Sequence, residues 1–220
     1  MDLGIIIGEA TPLSWDRWKH VVDLVEQHGY HSLFRSDHYF NGKQKEAIDV
    51  YLSFVLAAER TTNIRFGPLV TPVTFREPVN VGRMAQQLDA LSGGRFVMGL
   101  GAGWYPDEHT IYGLPFPAPT ERYDRLEEAI ALMKQLWYST SGTFEGRYYR
   151  IQGTDSQPHP TAGRPSILIG GTGPKRTLKI VAEHGHEWNA TPMDVAGYEK
   201  ATATLEEHCA TAGRDPGEIR

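Results

Sequence analysis

The chain has 220 residues, of which 40 % are apolar, 22 % are charged and 10 % are aromatic. This is the composition of a folded globular protein, so global disorder is excluded. The formal net charge is −5 and no basic run is longer than two residues, so nucleic acid is not expected as a main partner. The single cysteine, Cys209, excludes an internal disulfide and suits a reducing compartment.

The apolar runs are too short to cross a membrane, for which about 20 residues are needed. The first residues, Met1 to Leu3, also lack the basic and apolar segments of a signal peptide. The sequence therefore predicts a cytoplasmic protein without membrane contact.

Strand and helix patterns alternate along the chain. Short apolar runs predict strands over residues 3–8, 31–36, 64–70, 95–101, 166–170 and 187–190. Apolar residues at helical spacing predict helices over residues 14–28, 49–61, 78–91, 120–138, 174–184 and 195–212. Ser14, Asp49 and Thr120 are the expected N-caps, and Gly29 and Gly93 are the expected helix stops.

Residues 139–165 interrupt this alternation. Residues 143–151 predict a small hairpin with a turn at Glu145 and Gly146, and residues 157–165 form a proline-rich connector. Helix-length crossovers require parallel neighbouring strands, which leaves an open doubly wound sheet or a barrel of strand–helix units. A complete barrel needs about 250 residues. We therefore expect a fragment or a shortened variant, in which residues 215–220 turn into a further strand.

In both architectures the reactive groups gather at the carboxyl ends of the strands. Asp37 and His38 follow the second strand, where a carboxylate beside an imidazole could serve proton transfer or only complete a loop. After the third strand, the sequence Thr71-Pro72-Val73-Thr74 offers hydroxyl donors or a simple turn.

Glycines follow the fourth and fifth strands. Alternating glycines at 99, 101 and 103, followed by Trp104, allow a ligand or a neighbouring helix to approach closely, but they do not match the dinucleotide fingerprint. After the fifth strand, Gly170–Gly173 precede Pro174, the expected first helical residue. Lys175 and Arg176 would oppose the helix dipole, a conflict that a bound phosphate relieves. The alternative is a glycine-rich turn with solvated basic side chains.

Other chemistry-bearing residues form no recognisable site. His184 and His186 lack a third zinc-type ligand at suitable spacing, so no metal site is predicted. Cys209 has no basic activator nearby and is expected to be inert. The nucleophile elbow of one hydrolase class is absent from the sequence.

Taken together, seven segments resemble the bacterial luciferase-like monooxygenase family, in particular its coenzyme F420-dependent oxidoreductases. These segments, which follow the order of the family over the whole chain, are residues 32–38, 67–78, 91–104, 113–117, 121–129, 144–149 and 167–173. The resemblance implies a single-domain (β/α)8 TIM barrel over residues 1–220, with an insertion at 139–165 and the last two strand–helix units missing. It also implies a homodimer formed through the second and third helices.

The resemblance further implies where a tricyclic cofactor ring would lie. Asp37 and His38 would flank the ring, with His38 as the catalytic residue for proton transfer. The ring would rest on a bulge, in which relatives often have a non-prolyl cis peptide, and the glycines after the fifth strand would receive the phosphate. The residues implied to bind the cofactor are Leu69, Val70, Thr71, Ala102, Gly103, Trp104, Asp107, Glu108, Gly170, Gly171, Thr172 and Gly173.

Three functions stay open on the sequence. The first is hydride transfer between reduced F420 and a small organic substrate, with His38 handling the proton. The second is an FMN-dependent monooxygenase that uses reduced flavin and oxygen. The third is a non-catalytic barrel that binds a ligand or a partner.

Overall fold

The structure of the chain, a computed structural model, describes residues 2–8, 12–40, 47–138, 142–154, 159 and 165–220. Its strands are β1 (Gly4–Ile7), β2 (Ser32–Arg35), β3 (Arg65–Pro68), β4 (Thr71–Pro72), β5 (Val97–Gly101), β6 (Gly142–Glu145), β7 (Arg150–Thr154), β8 (Ser166–Gly170) and β9 (Glu187–Asn189). Its α-helices are α1 (Trp15–Gln27), α2 (Val50–Arg60), α3 (Pro78–Ser92), α4 (Pro106–Tyr112), α5 (Pro119–Tyr138), α6 (Thr177–His184) and α7 (Val195–Ala212), and a 3-10 turn spans Pro216–Glu218.

The parallel strands follow one another around a curved wall. One sheet has the order β1-β2-β3 and the other β4-β5-β8-β9. A parallel bridge between Phe66 and Phe96 joins β3 to β5, so the two sheets form one wall. The order never reverses, as it would at the switch point of a doubly wound sheet. The architecture is therefore that of a strand–helix barrel.

The last described residues extend the same wall. The backbone N–H of Arg220 donates to the carbonyl of His186 (3.0 Å), and the Arg220 carbonyl accepts from the N–H of Trp188 (2.9 Å). This is the hydrogen bonding of a parallel strand beside β9. The predicted turn into a further strand is confirmed.

The core between the wall and its helices is rich in aromatic rings. Trp18, Phe54, Phe66 and Phe96 are each at most 1 % exposed, and their rings meet edge to face or tilted at centroid distances of 5.7–6.3 Å. The indole N–H of Trp18 donates to the carbonyl of Ser53 (2.8 Å), which satisfies its only donor. This core fixes α1 and α2 against β2, β3 and β5.

Most predicted elements are present. Ser14 and Asp49 cap α1 and α2 as expected, since their side chains accept backbone N–H groups of the first turn. The predicted hairpin is also present, as the antiparallel pair β6–β7. Of the connector at 157–165, only positions 159 and 165 lie within the described residues.

Two sequence-based predictions about the helices were wrong, and one helix was missed. Thr120 is not an N-cap, because α5 begins one residue earlier at Pro119. Helix α6 begins at Thr177 and not at Pro174, because residues 174–176 form a turn. Helix α4 was not predicted, because it is only 7 residues long and its first turn holds a proline and two acidic residues. None of the described helices is both long and apolar enough to span a bilayer.

Candidate functional site

The carboxyl ends of the parallel strands surround a cavity of about 340 Å³. A volume of this size is typical of small-molecule sites. Many of the residues singled out in the sequence line it, namely His38, Leu69, Val70, Ala102, Gly103, Trp104, Gly170, Gly171, Thr172 and Gly173. The remaining lining residues are Ser36, Pro72, Gly101, Tyr123, Thr177, Asn189 and Thr191. None of these lining residues carries a formal charge at neutral pH when His38 is neutral.

The floor of the cavity is built around Val70. The peptide bond between Leu69 and Val70 is cis, in agreement with the bulge that the resemblance implies. The Val70 side chain lies between Gly101 and Gly170, where an added Cβ would come within 2.7 Å and 2.9 Å of its methyl carbons. Glycine at both positions therefore lets the isopropyl group form an apolar support for a flat ligand.

Four of the predicted site residues, Asp37, Thr71, Asp107 and Glu108, are not among those that line the cavity. Asp37 is 3 % exposed, and its Oδ2 accepts from Thr71 Oγ1 (2.8 Å) and from Arg76 Nη1 (2.5 Å). The Tyr51 hydroxyl lies 2.9 Å from the same Thr71 oxygen. The Asp37 carboxylate thus belongs to a buried polar network, and its predicted place beside a bound ring stays a prediction.

Burial raises the pKa of Asp37, and the charge and hydrogen bond of Arg76 oppose that rise. Burial also raises the pKa of the Tyr51 hydroxyl, and the neighbouring Asp37 carboxylate raises it further. The Tyr51 phenol of this network is therefore neutral at neutral pH.

His38 and Glu108 form a second polar group at the cavity wall. Glu108 Oε2 lies 2.6 Å from Nδ1 of His38, and Glu108 Oε1 accepts the backbone N–H groups of Tyr39 (2.5 Å) and Phe40 (3.2 Å). Glu108 has no exposed surface. It therefore contacts the histidine and the loop that follows, and the contact with the cofactor that the resemblance implies stays a prediction.

Two aromatic rings lie beside His38. The Trp104 ring is T-shaped to His38 at 5.8 Å and stacks on Tyr105 at 5.2 Å, and 63 % of Trp104 is exposed. Tyr105 is also T-shaped to His38, at 6.3 Å. The surroundings of the histidine near Trp104 and Tyr105 are thus aromatic.

The glycine-rich turn after β8 differs from its predicted form in two respects. The N–H of Gly171 donates to the carbonyl of Asn189 (3.0 Å), so this amide takes part in the hydrogen bonding of the sheet. Arg176 pairs with Asp124 (2.7 Å) and Glu127 (3.2 Å). The expected conflict between this arginine and the helix dipole is therefore relieved by acidic residues of α5, and it does not require a phosphate.

Thr172 and Gly173 remain at the cavity wall, together with two hydroxyls that sequence reasoning missed. The Tyr123 hydroxyl lies 3.0 Å from Thr177 Oγ1, and both residues line the cavity. Tyr123 is carried there by the packing of α5 against α6, which leaves no local signal in the sequence. The turn thus offers neutral donors to an anionic group.

The two histidines near the end of α6 have separate partners. His184 Nδ1 lies 3.3 Å from Lys134 Nζ, and His186 Nδ1 accepts the N–H of Ile167 (3.0 Å). Over the described ranges, no group of three or more histidine, cysteine, aspartate or glutamate residues is placed to hold a metal ion.

Several curated proteins of named activity are similar to this chain in sequence. The chain is 31 % identical over 217 residues to an F420-dependent hydroxymycolic acid dehydrogenase of Mycobacterium tuberculosis, covering 97 % of the chain and 59 % of the relative. It is 36 % identical over 152 residues to an F420-dependent glucose-6-phosphate dehydrogenase of Intrasporangium calvum, covering 67 % of the chain and 46 % of the relative. The chain thus spans about half the length of these relatives.

Solved structures show the same fold. An F420-dependent secondary alcohol dehydrogenase in complex with an F420-acetone adduct has a TM-score of 0.88 at 22 % identity, covering 100 % of this chain and 67 % of that one. The monooxygenase RslO1 from Streptomyces bottropensis has a TM-score of 0.84 at 23 % identity, covering 100 % and 69 %. The wall of parallel strands is therefore part of a TIM barrel.

The sequence model of the luciferase-like monooxygenase family matches residues 6–220. This match covers nearly the whole chain and includes every residue that lines the cavity. The chain belongs to the luciferase-like monooxygenase family.

Proposed function

We propose that the chain is an F420-dependent oxidoreductase that transfers a hydride between the cofactor and an alcohol or its carbonyl product. The observation that carries the proposal is the cavity itself. It combines an apolar support at Val70, a turn of neutral donors at Thr172 and Gly173, and an imidazole at its wall. Relatives with 31–36 % identity are F420-dependent dehydrogenases.

The cavity fits a flat cofactor with an anionic tail. Leu69 and Val70 would support the ring, Ala102 and Gly103 would lie along its side, and Thr172 and Gly173 would meet the phosphate. When bound, the deazaflavin accepts or supplies the hydride. Aromatic rings at the entrance limit the access of water to the ring.

His38 is the catalytic residue of this proposal. As the carbinol C–H bond breaks and its electron pair leaves with the hydride, His38 takes the proton of the hydroxyl group and the carbinol becomes a carbonyl. In the reverse direction the imidazolium returns the proton to the carbonyl oxygen. This pairing of a proton with each hydride keeps the reaction balanced.

A second candidate is an FMN-dependent monooxygenase, because the family includes such enzymes and some share the fold. The oxygenating constituent of 3,6-diketocamphane monooxygenase, solved with FMN, has a TM-score of 0.84 at 20 % identity. The relatives with the higher identities favour F420.

Side-by-side titration with F420 and FMN tests the choice. We expect quenching of F420 fluorescence at micromolar protein, weaker binding of FMN, and bleaching of the F420 absorbance when a secondary alcohol is added. Tighter binding of FMN with oxygen consumption would replace the proposal by the monooxygenase. Binding of neither cofactor would leave a non-catalytic barrel and contradict both.

The hydroxyl pair at the glycine turn gives a specific prediction. In Tyr123→Phe, the affinity for F420 is expected to fall about 3- to 10-fold, because one neutral hydrogen bond contributes about 0.5–1.5 kcal/mol. The affinity for the deazaflavin that keeps the ribityl chain but lacks the phosphate should not change. Calorimetric titration with both ligands checks this, and an equal loss for both would contradict a phosphate site at this turn.

We also propose that the chain forms a homodimer through α2 and α3. An apolar groove between these helices includes Leu52, Val55 and Leu91, which are 61 %, 45 % and 46 % exposed. A contiguous apolar surface of this kind marks an interaction site. Its two helices are those that the family resemblance implies for the dimer.

A charge placed in this groove should break the dimer. Leu52→Glu is expected to sediment as a monomer at concentrations where the unchanged chain sediments as a dimer. Val195→Glu is the matched control, because Val195 is 75 % exposed on α7. A dimer that survives Leu52→Glu would contradict this interface.

We further propose that residues 1–220 form a single domain in which residues 139–165 are an insertion. Glu128 on α5 accepts the N–H groups of Arg147, Tyr148 and Tyr149 (3.0, 2.8 and 2.7 Å), which supports docking of the hairpin on the barrel. A cytoplasmic location is proposed on the lone, buried Cys209.

A further inference from the structure

The side chain of Glu108 has no exposed surface and lies against the histidine at the cavity wall. Its Oε2 is 2.6 Å from His38 Nδ1, and His38 is among the residues that line the cavity while Glu108 is not. The carboxylate therefore meets His38 from behind the wall. This contact joins α4 to the loop after β2.

The hydrogen bonds of Glu108 determine the proton on His38. A carboxylate has only acceptors, and Oε1 already accepts the N–H groups of Tyr39 and Phe40. A bond between Oε2 and Nδ1 therefore requires a hydrogen on Nδ1. In the neutral imidazole the other nitrogen, Nε2, is then the basic one.

The Glu108 carboxylate also fixes the orientation of the His38 imidazole ring. Because Glu108 accepts the backbone N–H groups of two successive residues after His38, it fixes the position of this loop relative to α4. The imidazole also contacts the rings of Trp104 and Tyr105, at centroid distances of 5.8 Å and 6.3 Å. Contacts from α4 and from the segment before it thus hold the imidazole ring in place.

The charges around His38 come from several elements. Glu108 and Tyr105 face it from α4 and the segment before α4. Asp37, its neighbour in the chain, is turned to Arg76 and Thr71, and His109 is bonded to Thr74 and to the Tyr105 carbonyl. Among these groups, Glu108 is the carboxylate that would stabilise an imidazolium at His38.

We propose that Glu108 is a positioning residue that holds His38, a residue of the cavity wall, in its Nδ1–H tautomer, so that Nε2 is the basic nitrogen. The assignment rests on the proposed function, in which His38 takes a hydroxyl proton.

Nitrogen NMR of the histidine rings tests the assignment without cofactor or substrate. The signal of His38 among the nine histidines is identified by its loss in His38→Asn. We expect the Nδ1–H tautomer in the unchanged chain. In Glu108→Gln, we expect a shift toward Nε2–H and a titration midpoint lower by about one pH unit or more, because an opposite charge within about 4–6 Å has been removed.

Two variants separate positioning from stability. Glu108→Asp keeps the charge, so the titration midpoint of His38 should fall less than in Glu108→Gln. Glu187→Gln changes another buried carboxylate, which pairs with Arg65 and has its side chain only 10 % exposed, and it should leave the His38 tautomer and midpoint unchanged. An unchanged tautomer and midpoint in Glu108→Gln would overturn the assignment, as would equal shifts in both glutamine variants.

Kinetics then links the assignment to the reaction. With F420 and an alcohol, Glu108→Gln should lower kcat about 10- to 100-fold and leave the affinity for F420 within about twofold, by analogy with the partners of metal-bound histidines, whose loss has effects of that size. Loss of F420 affinity at unchanged kcat would make Glu108 a cofactor-binding residue. If the tautomer changes as expected but no variant or parent turns over F420, the proposed function fails while the role of Glu108 stands.

Discussion

Replacing His38 by alanine is expected to lower kcat for alcohol oxidation about 10²- to 10⁴-fold, the usual contribution of a positioned general base. The affinity for F420 should change much less, because in the proposed complex the ring would rest mainly on Leu69 and Val70. Steady-state kinetics together with F420 titration measures both quantities.

The control for this prediction is His20→Ala, which removes an exposed histidine from α1. This variant should keep the kcat of the parent. Added imidazole should restore part of the activity of His38→Ala and have no effect on His20→Ala. Unchanged turnover in His38→Ala would show that His38 takes no part in the reaction.

The second large effect is expected on folding. Arg76→Met leaves the buried Asp37 carboxylate without its partner, and breaking a buried pair in this way destabilises a protein by about 3–5 kcal/mol. Urea unfolding at pH 7 should show a loss of this size. Arg60→Met is the matched control, because its ion pair with Asp23 is exposed and should matter far less.

The pH dependence of this loss has a defined sign. Burial already holds the folded-state pKa of Asp37 above its ordinary value, and removal of Arg76 takes away an opposing effect, so the pKa rises further. A carboxyl group whose folded-state pKa is raised stabilises the folded protein at low pH. This contribution to the free energy of unfolding is lost as pH rises through the folded-state pKa. The deficit of Arg76→Met should therefore be largest at neutral pH and shrink toward pH 4.

Adding Asp37→Asn to Arg76→Met should recover part of the lost stability, because no buried charge then remains unpaired. A deficit that does not depend on pH, or no recovery in the double variant, would contradict the buried pair. The same variants bear on function, since the structure assigns Asp37 to this network and not to the cavity wall.

The sequence predicts the repeating elements well because local rules determine them. Apolar periodicity identifies the parallel strands and the long helices, and Ser14 and Asp49 show where two helices begin. It fails at α4 because a 7-residue helix has too few turns for a periodic signal. The start of α6 was also misplaced, because the turn at 174–176 depends on the contacts of Arg176 with α5.

The candidate site is predictable only in part, for a related reason. His38 and Gly170–Gly173 stand directly at strand ends, so the position of each strand brings them to the cavity. Whether a neighbouring side chain faces the cavity or turns away depends on packing between distant segments. Asp37 turns to Arg76 and Glu108 turns to His38, and neither direction can be read from spacing along the chain.

A crystal structure of the chain with F420 would show whether the strand ends form the proposed cofactor site. We expect electron density for the ring over Val70, with His38 at its edge and the phosphate beside Thr172 and Gly173. Density for the ring elsewhere on the protein, with this cavity left to solvent, would rule out the proposed site.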